Sequence, residues 1–576
     1  MLVRQPRRAL GALYWYVSGR KVRARNRLRL SVVQGSDAYA IWVDTVERRQ
    51  DALVAAVSEE SGGRLLFSIL VHQADMRDIA TLLSSLERQV HTNWELVVVP
   101  ASALTSAATD GACDNGRVRM ATTATGNAAD ALAIGAAEAR GDFLLPLPAG
   151  TILPRTALHR YAQVLAANPE ADLAYGDHDR IDGEGKRSFP WFKPRWNAEM
   201  FLAQDYLSQA CVIRTEAARR ALPVAPDLAG AAVYALLLEV SAQSGALHVP
   251  HVQAHAAMAE PEDGTARLLA VQRFLAGRHD DAQAHFGPFG TVRVCWPLPS
   301  PPPLVSVIVP TRDQFKLLHA CIEGVLHRTD YGPVEIIIVD NGSTDPATLA
   351  YLHQLDGQNG LRVLRDERPY NYAQLNNFAA THARGEYLCL LNNDTEVTDP
   401  DWLAQLMRHA VRPNVGAAGA MLLYDDGAIQ HAGVVVGLKR AAGHAHRFLP
   451  SGKQGYFRYP HVPHYVSAVT AACLVVARAK FDAVGGLDEQ DLAIAFNDVD
   501  LCLKLQQAGW RNVYVPQAVM IHHESKSRGR DVAPRHVERY RRELAVLQER
   551  WGTRDYVDPL RHPQLDPDNE DFTIRS

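Results

Sequence analysis

A short apolar run in the second half of the chain is followed at once by polar side chains that could bind a metal ion. Residues 388–391 are apolar, and Asn392, Asn393 and Asp394 come next. The run has the length and apolarity of a strand covered on both faces of an α/β sheet, and ligands bind beyond the carboxyl ends of such strands. Oxygen donors suit Mg²⁺ or Mn²⁺, which would in turn hold nucleotide phosphates. A polar turn after a core strand is the alternative.

Composition and charge limit the classes of protein that the chain can represent. Its 576 residues, 47% hydrophobic and 22% charged, are typical of a soluble globular protein with two large domains. A net charge of −4 gives no drive toward nucleic acid, so we expect no nucleic-acid partner. Seven scattered cysteines without a Cys-x-x-Cys pair favour free thiols. No apolar run approaches the ~20 residues of a spanning helix, so we expect no transmembrane segment, and the free thiols favour a cytoplasmic protein.

The N-terminal segment, residues 1–60, is unusually basic. Nine arginine and lysine residues within residues 1–30 surround the apolar and aromatic patch at residues 10–17. This pattern suits peripheral contact with an anionic membrane through residues 1–30, at the inner face of the membrane. A solvated basic terminus would give the same composition, and the sequence leaves the two interpretations open.

The pattern of apolar runs and amphipathic helices occurs twice along the chain. Strands alternating with helices predict an α/β domain with a largely parallel sheet over residues 61–290. Residues 291–303 are rich in proline and form a stiff, extended linker. The same order of strands and helices then repeats over residues 304–530, which indicates duplication of a whole domain. Residues 531–576 are expected to form a C-terminal helix and tail.

Six motifs of the second copy follow one another in a recognisable order. They are VSVIVPTRD from residue 305, IVDNGSTD from 338, LNNDT from 391, GGLD from 485, FNDVDLCL from 496 and HHES from 522. Together they resemble the successive signatures of the family 2 glycosyltransferases, whose members have the GT-A fold. The resemblance implies an α/β fold class of two tandem GT-A domains, Rossmann-like and of the nucleotide-diphospho-sugar transferase type.

The resemblance also implies which residues bind the nucleotide. These are Pro310, Thr311, Asp340, Asn371, Asn376 and Asn392. Asp340 ends an apolar run, and the family uses this position to accept a hydrogen bond from the nucleotide base. Its alternative is a turn residue, because Asp-Asn-Gly-Ser is a strong turn sequence. Asn371 and Asn376 would support the pocket from the segment that precedes a helix.

Metal binding and acid–base chemistry fall on three further positions that the resemblance implies. Asn392 stands where the family carries the first acid of its Asp-x-Asp motif, which leaves Asp394 as the charged ligand for Mn²⁺ or Mg²⁺. His522 matches a histidine that the family uses as an additional metal or phosphate contact, and the neighbouring His523 is the alternative. Asp498 matches the base that takes the proton from the acceptor hydroxyl. A helix N-cap is its other interpretation.

The first copy lacks acids at the matching positions. Residues 145–150 read LPLPAG and residues 99–101 read VPA, where the second copy has Asp394 and Asp340. Residues 229–236 supply no acid before the helix where a catalytic one is expected. We therefore expect a degenerate domain that orients the active one or binds acceptor glycan.

The function that the resemblance implies is an inverting, metal-dependent hexosyl- or deoxyhexosyltransferase. It would move a sugar from a nucleotide-sugar donor to a glycan or lipid-linked acceptor in cell-surface polysaccharide assembly of the O-antigen or capsule type. A sugar-nucleotide pyrophosphorylase would need a Gly-rich loop after the first strand, and residues 310–313 have none. A non-catalytic glycan-binding or scaffold protein is the third class, against which Asp340, Asp394 and Asp498 argue.

Overall fold

The computed structural model divides the chain into two compact units. It describes residues 13–14, 16–17, 37–57, 64–72, 75–101, 116–257, 264–278, 281–523 and 536–575. The first unit runs to Val294 and also includes His562–Asp566 and Thr573–Ser576, and the second comprises Cys295–Arg561 and Pro567–Phe572. The nine basic residues of the predicted membrane contact lie outside the described residues. Within those residues, no helix combines the length and apolarity that crossing a membrane requires.

The first unit is built on an eight-stranded sheet with a two-stranded sheet beside it in sequence. Its strands are β1 (Phe67–His72), β2 (Trp94–Val99), β3 (Val118–Met120), β4 (Phe143–Leu147), β5 (Leu173–Ile181), β6 (Arg187–Trp191), β7 (Cys211–Arg214), β8 (Leu247–Ala257), β9 (Gln283–Phe286) and β10 (Val292–Cys295). The large sheet has the order β3-β2-β1-β4-β7-β5-β6, and β8 pairs with β5.

The second unit is built on a ten-stranded sheet. The strands of this unit are β11 (Val305–Thr311), β12 (Val334–Asp340), β13 (Leu361–Arg365), β14 (Tyr387–Leu391), β15 (Thr395–Val397), β16 (Val415–Leu423), β17 (Ile429–His431), β18 (Val434–Val436), β19 (Ala442–His444), β20 (His464–Val466), β21 (Cys473–Ala477) and β22 (Arg511–His522). The large sheet has the order β13-β12-β11-β14-β21-β16-β22-β15, β17 pairs with β16, and β20 with β22.

Helices fill the connections between the strands in both units. In the first unit they are Asp37–Trp42, Arg48–Val57, Met76–Glu87, Ala128–Glu138, Ala157–Ala167, Ala198–Ala203, Thr215–Ala221, Ala232–Ser244 and Gly264–Ala276, with a π-helical turn at Val43–Glu47. In the second unit they are Phe315–His327, Pro346–Leu355, Tyr372–His382, Trp402–Ala410, Arg478–Ala483, Asn497–Gln507 and Val537–Trp551. Several strands, such as β12 and β16, are buried on both faces over nearly their whole length.

The strand order of the first unit recurs in the second. The path β3-β2-β1-β4-β7-β5 corresponds to β13-β12-β11-β14-β21-β16, and the parallel pair of β5 with β8 corresponds to that of β16 with β22. The predicted parallel pairing is confirmed for β1 to β4 and for β11 to β14. Both sheets are nevertheless mixed, because β4–β7, β5–β7, β14–β21 and β16–β21 are antiparallel. A strand that is buried on both faces reads as the same apolar run in either direction, so the sequence pattern carries no strand polarity.

One buried hydrogen-bond network is repeated in both sheets. In the first unit the Ser68 hydroxyl donates to Glu95 Oε1 at 2.6 Å and accepts the Gly141 N–H at 2.8 Å. In the second unit Ser306 donates to Glu335 Oε1 at 2.5 Å and accepts the Gly385 N–H at 2.9 Å. A Cβ on either glycine would lie 2.7 Å or less from the serine hydroxyl oxygen, so both positions require glycine. The shared network fixes the residue correspondence between the two units.

Candidate functional site

The carboxyl ends of three neighbouring parallel strands meet at one edge of the second sheet. Strands β11, β12 and β14 end at Thr311, Asp340 and Leu391. The N–H of Asn341 donates to the Thr311 carbonyl at 2.8 Å, and the Asn393 amide donates to the Thr311 hydroxyl at 2.9 Å. These contacts bring the loop after β12 and the loop after β14 to the same strand end. Pro310 and Thr311 therefore lie between the predicted nucleotide and metal residues.

Asp340 is buried, with 2% of its surface exposed, and both of its carboxylate oxygens have partners. Oδ1 accepts the N–H of Ser343 at 2.9 Å, which is the turn contact expected from the Asp-Asn-Gly-Ser sequence. Oδ2 accepts a hydrogen bond from the Arg365 guanidinium, and this bond raises the pKa of Arg365. Sequence reasoning missed Arg365, although it ends β13, the strand next to β12. Asp340 and Arg365 thus place a negative and a positive group together where the nucleotide base is expected to bind.

Asp394 and His522 face each other at the same edge. Asp394 Oδ1 lies 3.2 Å from His522 Nε2, and their side chains are only 5% and 8% exposed. The Asn392 amide nitrogen lies 3.4 Å from the same ring nitrogen. The pairing of β15 with β22 sets Thr395 opposite His522 and so fixes this approach. The structure therefore brings together three residues that the sequence predicts for metal and nucleotide binding.

The ring of His523 points toward other carboxylates. Its Nδ1 lies 2.5 Å from Asp425 and its Nε2 lies 3.3 Å from Glu396. Its backbone N–H donates to the carbonyl of Asp394 at 2.9 Å. Of the two histidines, His522 is thus the one whose side chain contacts Asp394.

The donor set at Asp394 and His522 suits a divalent cation that accepts both oxygen and nitrogen. Carboxylate and amide oxygens are ligands for Mg²⁺ and Mn²⁺, whereas imidazole is preferred by transition metals. His522 Nδ1 is buried and has no hydrogen-bond partner among the described residues. The chemistry of these residues fits Mn²⁺ better than Mg²⁺, because one of the two closest donors is a nitrogen.

Asp498 lies in the first turn of the helix Asn497–Gln507. The helix begins at Asn497 with Phe496 in the N-cap position, so Asp498 lies two residues past the cap and does not have the cap role. Its Oδ2 accepts the N–H of Ala471 at 3.1 Å, and its Oδ1 accepts the N–H of Val499 at 2.9 Å. A carboxylate in this turn is stabilised by the positive end of the helix dipole. The side chain is only partly buried, as a group that exchanges protons with substrate must be.

Asp500, two residues further, has a structural environment. It is fully buried and accepts hydrogen bonds of 2.9 Å from Arg550 Nη1 and from Trp551 Nε1. Lys504 lies 3.2 Å from its second oxygen. The sequence presents Asp498 and Asp500 as a pair, and the structure separates a half-buried acid from a buried ion-pair anchor.

Asn371 and Asn376 make contacts within the protein. Asn371 is the N-cap of the helix Tyr372–His382, where its Oδ1 accepts the Gln374 N–H at 2.9 Å. Its amide nitrogen donates to the Glu489 carbonyl at 2.8 Å. Asn376 is fully buried, and its amide donates to the Tyr372 carbonyl at 2.8 Å. Both residues hold the helix that follows the predicted nucleotide pocket.

The first unit has different residues at the equivalent positions. Phe143 begins β4 and Tyr387 begins β14 at equal register against β1 and β11, so Gly150 corresponds to Asp394. The bridge of Ile152 with His255 corresponds to the pairing of Glu396 with Ile521, so Ala256 corresponds to His522. Both halves of the candidate metal pair are therefore replaced by residues without a ligand side chain.

Buried charges occupy the nearby edge of the first unit. His255 Nδ1 lies 2.6 Å from Asp179 Oδ1, and the Tyr39 hydroxyl donates to Asp179 Oδ2 at 2.7 Å. Arg187 completes the network by pairing with Asp179 and with Glu47 at 2.5 Å. Residues of the helical segment before β1 thus take part in a buried charged network at this edge of the first unit.

A second group of metal-ligand type lies in the first unit. Ligand atoms of Asp177, His248 and His562 all lie within 4.8 Å of one another, a separation that can hold a metal ion. Burial alone would raise the pKa of Asp177, but His562 and His248 lower it well below its usual range. The distances from the carboxylate are 3.0 Å to His248 Nε2 and 2.8 Å to His562 Nε2.

The tautomer of His562 bears on what this group does. Its Nδ1 accepts the N–H of Gln564 at 3.0 Å, so the proton of a neutral ring lies on Nε2, facing Asp177. A histidine that binds a metal through Nε2 carries its proton on Nδ1 and donates it. As it stands, His248 is hydrogen-bonded to Asp177 and His562 lies within ion-pair distance of the other carboxylate oxygen, and metal binding would require loss of the Gln564 hydrogen bond. Sequence reasoning missed it, since its members are far apart in the chain.

Comparison with known proteins identifies the family. The model of glycosyl transferase family 2 matches residues 306–435, which carry β11, β12, β14 and the loops after them. An N-acetylglucosaminyl-diphospho-decaprenol L-rhamnosyltransferase of Mycobacterium tuberculosis is 30% identical over 222 residues, 35% of this chain and 70% of that protein. The chain belongs to glycosyl transferase family 2. The predicted family and the fold class of two tandem GT-A α/β domains are confirmed.

Two longer relatives match most of this chain. The uncharacterised protein y4gI of Sinorhizobium fredii is 36% identical over 579 residues, which cover 96% of this chain and 64% of that protein. The O-antigen biosynthesis protein RfbC of Myxococcus xanthus is 35% identical over 518 residues, 86% of this chain and 40% of that protein. The chain thus spans less than two thirds of the length of either relative.

Proposed function

We propose that the second unit is an inverting, metal-dependent glycosyltransferase that uses a nucleotide-sugar donor. The observation that carries this proposal is the 3.2 Å approach of Asp394 to His522. Both residues lie at the strand edge that also presents Thr311, and a contact of Asn393 with Thr311 ties the two loops together. A carboxylate and an imidazole at this edge suit a cation bound to the diphosphate of the donor.

Each residue of the site has a role in this reaction. Pro310, Thr311 and Asp340 hold the nucleoside, and Asp394 and His522 hold Mn²⁺ or Mg²⁺, with Asn392 beside them. The bound cation supplies neutralisation of the charge on the departing diphosphate. Asn371 and Asn376 support the pocket from the helix that they cap and stiffen.

Asp498 acts as the general base. It removes the proton from the acceptor hydroxyl while that oxygen bonds to the anomeric carbon, and the bond from this carbon to the nucleoside diphosphate breaks. A single displacement of this kind inverts the anomeric configuration. The Ala471 N–H orients the Asp498 carboxylate at 3.1 Å.

We propose a donor and an acceptor on the basis of the names of the relatives. The mycobacterial relative is named as an L-rhamnosyltransferase acting on a decaprenol-linked diphosphate, which supports a deoxyhexose donor and a lipid-linked acceptor. The relative from Myxococcus xanthus is named for O-antigen biosynthesis, which supports a role in cell-surface polysaccharide assembly. A lipid-linked acceptor would place the enzyme at the inner membrane face, where residues 1–30 are the proposed peripheral contact.

The first unit is proposed to be a non-catalytic domain that binds acceptor glycan. Gly150 and Ala256 replace the metal pair, and the network of Asp179, Arg187 and Tyr39 fills the sheet edge. Residues 61–290 would then form this degenerate domain and residues 304–530 the active one, with 291–303 as the linker between them. Transfer activity that survives Asp394→Ala but not removal of residues 61–290 would contradict the assignment.

A donor screen with MnCl₂ tests the proposed function. The full chain is incubated with UDP-, GDP- and dTDP-linked hexoses and deoxyhexoses, and release of nucleoside diphosphate is measured with and without a polyprenyl-diphosphate sugar acceptor. We expect one nucleotide class to be consumed, with release lowered by EDTA and by Asp498→Asn. Full activity of Asp498→Asn, or synthesis of a nucleotide-sugar from nucleoside triphosphate, would contradict it, the latter in favour of a pyrophosphorylase.

A further inference from the structure

We infer that His431 is a positioning residue, which fixes the turn whose next amide orients Asp498. This inference rests on the proposed function, because it assigns a partner to the proposed base. His431 ends β17, and Asp498 lies in a helix that starts more than sixty residues later. The turn between them is formed by residues 470–472, which lead into β21.

The hydrogen bonds of His431 define its tautomer. Its Nδ1 lies 3.0 Å from the carbonyl oxygen of Ala420, which can only accept, so Nδ1 carries the proton. Its Nε2 accepts the N–H of Thr470 at 3.3 Å. The residue is fully buried, and burial followed by the nearby His444 lowers the pKa of His431 well below its usual range. A neutral ring with one donor and one acceptor is therefore held in a single orientation.

The turn that His431 holds is connected to the proposed site on every side. The N–H of Ala471 donates to Asp498 Oδ2 at 3.1 Å, and the Ala471 carbonyl accepts from the Tyr372 hydroxyl at 3.0 Å. The carbonyl of Ala472 accepts the N–H of Asn392 at 3.0 Å. One short segment thus touches the proposed base, the helix after the nucleotide pocket and the loop that carries Asp394.

The geometry gives His431 influence over Asp498 without contact between them. Thr470 and Ala471 are consecutive. A rotation of the peptide unit that breaks the hydrogen bond from the Thr470 N–H to His431 therefore also changes the direction of the Ala471 N–H. Among the described residues, Asp498 accepts one hydrogen bond from the neighbouring Val499 and one from Ala471, and the second comes from outside its own helix. Loss of the hydrogen bond between His431 and Thr470 therefore frees the Asp498 carboxylate to turn away from the acceptor hydroxyl.

Two substitutions of His431 separate positioning from stability. In His431→Gln the amide oxygen reaches the place of Nε2 and keeps an acceptor for Thr470, while the bond to Ala420 is lost. In His431→Asn the amide nitrogen occupies the place of Nδ1 and keeps the bond to Ala420, while the bond to Thr470 is lost. Each variant gives up one of two buried hydrogen bonds, so each is the control for the other in thermal unfolding.

Steady-state kinetics with the donor found in the screen provide the main measurement. We expect His431→Asn to lower kcat by about 10- to 100-fold, with the KM for donor changed by less than about threefold. His431→Gln should lower kcat by less than about threefold. His464→Asn is the general control, because His464 is also buried but its ring bonds to the Val462 carbonyl and not to residues 470–472.

Amide exchange measures the proposed link directly. In full-length His431→Asn, the amides of Thr470 and Ala471 should both exchange faster than in His431→Gln, as resolved by fragmentation mass spectrometry. Equal kcat in the two variants, or faster exchange at Thr470 without a change at Ala471, would overturn the inference. Absence of transfer by the wild-type chain is a different result, since it would refute the proposed function itself.

Discussion

The two units share a buried framework and differ at the sheet edge where chemistry would occur. Ser68, Glu95 and Gly141 form the same hydrogen-bond network as Ser306, Glu335 and Gly385. In both networks the glutamate also accepts a backbone N–H at 2.6 Å, from Arg140 in the first unit and from Arg384 in the second. At the edge, Gly150 and Ala256 stand where the second unit has Asp394 and His522.

This difference shows that different physical requirements determine the residues of the buried framework and those of the site. The buried glutamates satisfy N–H groups that would otherwise be left unpaired in the core, a cost that any folded copy must avoid. The edge residues satisfy no such demand in the first unit, so their loss leaves the fold intact. Four predictions test this separation.

The largest effect is expected at Asp394. Asp394→Ala removes the charged member of the proposed metal pair and should lower transfer by about 100- to 1,000-fold, the usual range for loss of one group that stabilises developing charge. The measurement is the initial rate of donor consumption with MnCl₂. Pro148→Ala, in the equivalent segment of the first unit, is the matched control and should keep the wild-type rate.

A stability effect of similar size in both units is expected next. Glu95→Gln and Glu335→Gln each weaken the charge-assisted bonds of the buried network and should each lower the free energy of unfolding by about 2–3 kcal/mol. Urea unfolding followed by circular dichroism checks this. If the two values differ by more than about 1 kcal/mol, the frameworks are not equivalent, since context alone accounts for differences below that.

A smaller thermal shift should locate the cation. When MnCl₂ and UDP, GDP or dTDP are present at several times their Kd, the melting temperature should rise by about 2–4 °C, because a ligand that binds only the folded state stabilises it. We expect His522→Ala to abolish the rise and His562→Ala to leave it unchanged. The reverse result would place the cation at Asp177 in the first unit.

The smallest expected effect is on the stability of the protein at acidic pH. Burial by itself raises the pKa of Glu335, but hydrogen bonds from Ser306 and Arg384 outweigh it, so the folded-state pKa lies below the usual value of 4.5. The unfolded chain then binds more protons below that value, and stability is lost as pH falls through the lowered pKa. Wild-type protein should therefore lose more stability than Glu335→Gln when pH drops below 4.5. An equal loss in both would show that other carboxylates dominate.

The sequence predicts the local elements well because they depend on local pattern. Residues 334–340 are an apolar run that ends in an acid, and the structure forms β12 over these residues. Strand β2 likewise forms over the largely apolar run at residues 94–99. The N-cap interpretation of Asp498 is wrong, because the helix begins at Asn497, after Phe496 with its positive φ of 64°.

The parts that sequence reasoning missed depend on pairing across the sheet. Arg365 reaches Asp340 only because β13 lies beside β12, and His431 reaches Thr470 through a loop that no periodicity describes. His562 contacts Asp177, which lies in the opposite half of the chain. Side chains of this kind are positioned by tertiary register, which a one-dimensional pattern does not contain.

The membership of His562–Asp566 in the first unit has a consequence for biosynthesis. His562 is fully buried against Asp177, so this part of the first core is completed only after the second unit has been synthesised. At ~5–20 residues per second, translation from Val294 to His562 takes roughly 15–50 s. During that interval Asp177 has its partner His248 within the nascent first unit, whereas its second carboxylate oxygen still lacks His562.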